Sequence, residues 1–104
     1  MDDKKNQLTI ELTDDVAQGL FSNLAIITHS STEFVLDFVQ ILPGMPKAKV
    51  RSRILMSPIH AKRLLLALDN NLKRFEQANG VIVDTNAGQV PPINFDGGGP
   101  PTQA

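Results

Sequence analysis

Few side chains in this chain are of a kind, and at a spacing, that could do chemistry. Histidine occurs twice, at His29 and His60, and neither stands with further ligands at the separations that give zinc its three or four. Cysteine is absent, which removes disulfides, thiolate chemistry and Cys-based zinc sites. Ser22, Ser30, Ser31, Ser52 and Ser57 lack a nucleophile-elbow motif. Ser57 has a structural use instead, as the cap before Pro58. Asp2-Asp3 and Asp14-Asp15 read as solvated terminal and turn acids. Gly97 to Gly99 follow no strand and open no helix, so they read as linker rather than phosphate cradle. The expectation is a non-enzyme with no catalytic, cofactor-binding or metal-binding residues.

Charge is more informative. From Lys47 to Arg63 the chain carries Lys47, Lys49, Arg51, Arg53, Lys62 and Arg63 and no acid, although the net charge of the whole is −1. Two readings follow. The stripe could neutralise phosphates of a nucleic acid, with binding that falls steeply with salt. Alternatively, it pairs across strands with Glu33 and Asp37 and guards a sheet edge with lysine. Tyrosine and tryptophan are absent, so a nucleic-acid surface would lack its usual stacking platforms. The pairing reading is preferred and nucleic-acid binding is the alternative.

The elements that must position these residues fit one domain in 104 residues. Residues 1–6 read as a flexible start. Leu8, Ile10 and Leu12 alternate with Thr9 and Glu11, the pattern of a half-buried strand. Leu20–Thr28 and Glu33–Leu42 read as a second and a third strand around a polar turn at His29–Thr32. Pro43-Gly44-Met45-Pro46 must be loop, and Lys49–Met56 is the fourth strand. Ser57 and Pro58 open a helix to about Ala78, with Leu64, Leu65, Leu68, Leu72 and Phe75 at helical spacing and Asn79-Gly80 as its stop. Residues 85–104, dense in glycine and proline, read as a disordered tail outside a domain at 7–84. Neither a leader-like apolar start nor a membrane-length run is seen, which gives a cytoplasmic expectation with no membrane partner. The fold class expected is α+β: an antiparallel sheet of about four strands, then one long C-terminal helix packed on one face.

Pairing Ile27 with Phe34 and Phe38 with Val50 keeps both sheet faces coherent and sets Asp37 opposite Arg51. One face then holds Phe21, Ile27, Phe34, Leu36, Phe38, Val50 and Ile54, a core face for the helix. The other also carries Leu24, Ile26, Val35, Val39 and Ile41, and a single helix cannot cover both. With Ile59 and Leu66 on the outer side of the helix, these five form a candidate oligomer interface. The expected partner is a second copy of the chain, or another protein.

Asn23–Ser30 (N-L-A-x-I-x-H-S), Phe34–Phe38 (F-x-x-D-F) and Ser57–Leu65 (SPIHAKRLL) together resemble the family of short bacterial proteins called domain of unknown function 3467. Ile59 replaces the glutamine usual at that family's helix start. The resemblance covers about residues 8–78 and implies no activity. It makes His29, Asp37, His60 and Lys62 candidates without attaching a role to them.

Overall fold

The computed structural model describes residues 7–85 and 102–103. In chain order the elements are α1 (Asp14–Ala17), β1 (Leu24–His29), β2 (Phe34–Gln40), β3 (Lys49–Met56), α2 (Pro58–Asn79) and β4 (Thr102–Gln103). The fold class is α+β. Three antiparallel strands, β1, β2 and β3, form the sheet and are followed by the long helix. The two residues of β4 pair with Ile26 and Ile27 at the outer edge of β1, giving the order β3-β2-β1-β4. The expected strand at Leu8–Leu12 does not form within the chain: residues 7–13 take no regular structure. The expected flexible start at 1–6 lies outside the described residues, as does the expected disordered tail 85–104 apart from residues 85, 102 and 103, the last two of which form β4.

The turns follow from their residues. Between β1 and β2 the Ser30 N–H donates to the Glu33 carbonyl at 2.9 Å. The Ser30 hydroxyl accepts from the N–H groups of Thr32 and Glu33. Between β2 and β3, Pro43 and Gly44 (φ 78°) occupy the middle of a turn closed by Met45 N–H on the Leu42 carbonyl, the placing a type II turn asks for. Before β1, Asn23 extends the ladder with its side chain. Its amide donates to the Ile41 carbonyl at 3.0 Å, and its oxygen accepts the Ile41 N–H at 2.7 Å.

Both hairpins are shifted two residues from the sequence expectation. Ile27 faces Leu36 rather than Phe34, and Asp37 faces Arg53 rather than Arg51. A shift of two keeps every side chain on its expected face, because strand side chains alternate with period two. The pairing then breaks step between Phe38 and Val39: Phe38 faces Ser52, Val39 faces Val50, and Arg51 is the extra residue of a β-bulge. Val50 thereby joins the face of Asp37 and Val39, and Lys49 that of Phe38 and Gln40.

The centre of the sheet is buried on both sides, since β2 has a neighbour on each flank. Ile26, Asp37 and Val39 are buried on one face and Leu36 on the other. The expectation that the helix packs on the sheet is not met. α2 has no buried residue, and Ile59, Leu64, Leu65, Leu66, Leu68, Leu72 and Phe75 are all exposed. The reason is in the helix itself. Ala61, Leu65, Leu68, Leu72 and Phe75 form an apolar stripe and Ile59, Leu64 and Leu66 widen it, so the helix presents more apolar surface than the edge of a three-stranded sheet could cover. Its ends are nonetheless well made. Ser57 accepts the His60 N–H, Pro58 fills the first helical position, and the Gly80 N–H (φ 89°) closes on the Glu76 carbonyl at 2.9 Å.

Candidate interaction surface

The six basic residues do not form one patch. β3 rises about 23 Å from Lys49 to Met56, so Lys62 and Arg63 on α2 lie beyond its far end from Lys47 and Lys49.

Arg53 is committed to Asp37. Its Nε donates to Asp37 Oδ1 at 2.6 Å and its Nη2 to Oδ2 at 2.8 Å, a two-pronged pair. The carboxylate is fully buried on the central strand, while about half of the arginine side chain is exposed. The hydrogen bond to Asp37, and then its negative charge, raise the guanidinium pKa above its already high ordinary value. The cross-strand partnership expected of the stripe is therefore present, with Arg53 in the place expected for Arg51. Glu33 contributes through its backbone in the β1–β2 turn and makes no ion pair among the described residues.

Lys47, Lys49 and Arg51 gather with Gln40, Leu42 and Met45 around a cleft of about 130 Å³ beside the β2–β3 loop. None of the three cations has an ion pair among the described residues. The bulge helps to assemble them, because it places Lys49 on the face of Gln40 while Arg53 stays on the face of Asp37.

On the same face as Gln40, the chain from Asp15 to Leu20 crosses the sheet. Asp15, Val16 and Leu20 line a groove of about 620 Å³ with Phe38, Ser52 and Ile54. The Thr13 hydroxyl donates to the Asp15 carboxylate at 2.6 Å. That bond, followed by backbone N–H groups, holds the Asp15 pKa below the ordinary aspartate value.

Of the candidate interface residues, Ile26 and Val39 are each only 4% exposed and already belong to the chain's own core. Leu24, Val35 and Ile41 are partly buried, and Ile59 and Leu66 are exposed on α2. His29 stacks on Phe34 with ring centroids 5.2 Å apart, and His60 contacts the capping hydroxyl of Ser57. Lys62 is exposed on the first turns of α2. Among the described residues no three His, Asp or Glu side chains gather as metal ligands, and no helix is long and apolar enough to cross a membrane.

Sequence reasoning missed two features of this surface. The unpaired cations next to the bulge could not be separated from Arg53 without the true register. The breadth of exposed leucine on α2 was signalled by Leu64-Leu65-Leu66, where an amphipathic helix would have interposed polar residues.

Comparison with known proteins gives a family match, described as "Protein of unknown function (DUF3467)", over residues 1–84. No curated protein and no solved structure matches the chain.

Proposed function

The chain belongs to the family of proteins of unknown function DUF3467, and from that premise we propose that it is a non-enzymatic module that assembles with copies of itself. The observation that carries this reading is α2, a 22-residue helix whose seven large apolar side chains are all exposed. Monomeric proteins rarely leave so much contiguous apolar surface in water.

Light scattering at micromolar concentration is expected to give at least twice the 11.3 kDa chain mass. A folded monomer under those conditions overturns the reading. A twofold dimer is the simplest closed form.

The free cations Lys47, Lys49 and Arg51 favour a second reading, in which this end of the sheet binds nucleic-acid phosphates. Against it stand the net charge of −1 and the absence of tyrosine and tryptophan. Fluorescence titration with single-stranded and duplex oligonucleotides is expected to show no binding near physiological salt. Salt-sensitive micromolar binding lost in Lys49→Glu and Arg51→Glu variants that stay folded would reverse the order of the two readings.

A further inference from the structure

We propose that residues 8–12 of one chain add as a strand to the free edge of β3 in a second copy. The inference rests on the self-assembly reading and names the surfaces involved. Leu8, Ile10 and Leu12 alternate with Thr9 and Glu11, a pattern that suits a strand with one apolar face. Among the described residues, however, that strand has no partner. Leu8 and Ile10 are each 84% exposed, and residues 8–12 make no hydrogen bond among the described residues.

β3 offers the longest open edge to receive it among the described residues. Thr102–Gln103 cover the outer edge of β1 at Ile26 and Ile27, whereas among the described residues β3 has no neighbour on its outer side along any of its eight residues. An open edge of that length exposes a row of unmet backbone donors and acceptors, which an added strand satisfies.

Charge selects this pairing further. The donor segment and its continuation carry Glu11, Asp14 and Asp15 and no cation, while Lys49 and Arg51 on β3 have no acidic partner among the described residues. The path of the chain agrees. Asp15 and Val16 line one groove with Ser52 and Ile54, which sets the start of α1 on the side of the sheet that includes β3.

The full chain tests this by isotope mixing. Because it has no native cysteine, Thr9→Cys can carry a spin label at an exposed position of an unlabelled chain. This is mixed with ¹⁵N-labelled wild-type chains. Paramagnetic broadening of the Val50 to Ile54 amides in the ¹⁵N chains is the expected result. A second measurement uses Ile10→Pro, which removes a backbone donor from the added strand. Hydrogen-exchange protection of the outward β3 amides is expected to fall by about tenfold or more, with the β1–β2 ladder unaffected. An oligomer with neither broadening nor lost protection overturns the strand exchange and leaves self-assembly standing. A monomer overturns both.

Discussion

Replacing Leu68 and Leu72 together by glutamate should reduce the assembly to single chains. The two residues lie on a seam in which Ala61, Leu65, Leu68, Leu72 and Phe75 recur at alternating spacings of four and three, the pattern that packs helix against helix. Burying a leucine is worth about 1.5–3 kcal/mol. In a symmetric contact each substitution counts in both copies, so the dissociation constant should rise by about ten-thousandfold or more. Light scattering across a dilution series reads the change, and the helical signal in circular dichroism shows whether α2 persists when unpartnered. Lys62→Glu on the same helix is the control and should leave the mass unaltered. If the double glutamate variant keeps the wild-type mass, α2 is not the contact.

Arg53→Met should lower the melting temperature by about 10 °C or more, because it strands a buried carboxylate without its partner. Asp37 is 0% exposed, and the guanidinium supplies both of its side-chain hydrogen bonds at 2.6 and 2.8 Å. Breaking a buried pair from one side is far more damaging than removing both charges. Adding Asp37→Leu to Arg53→Met should therefore recover most of the loss. Thermal melts of the two single variants and the double form a cycle that isolates the coupling. Additive losses would mean that the pair contributes nothing as a pair.

The local elements were largely legible from sequence. Ser57-Pro58 and Gly80 bound α2 almost where they should, and β3 runs from Lys49 to Met56 as its alternation requires. Those features are written in neighbouring residues. Register was harder, since a two-residue slip leaves the face of every side chain unchanged, and only the turn geometry and the Asn23 clamp on Ile41 distinguish the alternatives. The bulge at Arg51 left no signal, because no glycine marks it. The separation of α2 from the sheet was missed for a different reason. Leucine spacing says that a helix has an apolar face without saying whose surface covers it. The Leu8–Leu12 alternation has the same limit: it calls for a strand and does not name the sheet.

Register also has a history in time. Lys49, Arg51 and Arg53 stand two residues apart, so a β2–β3 hairpin slipped by two offers Asp37 another guanidinium, from Arg51, and preserves both faces. Hairpins close within about 1–10 μs, early enough for the slipped form to compete with the native one while the rest of the chain is unformed. Escape then means breaking a solvent-exposed charged pair, which costs about 1 kcal/mol or less, so the slipped hairpin competes without persisting. The extra residue at Arg51 limits the damage. It sets the half of the hairpin near the turn one residue out of step with the other half. Asp37 can then meet Arg53 while Gln40 meets Lys49 in only one alignment, the one the folded chain adopts.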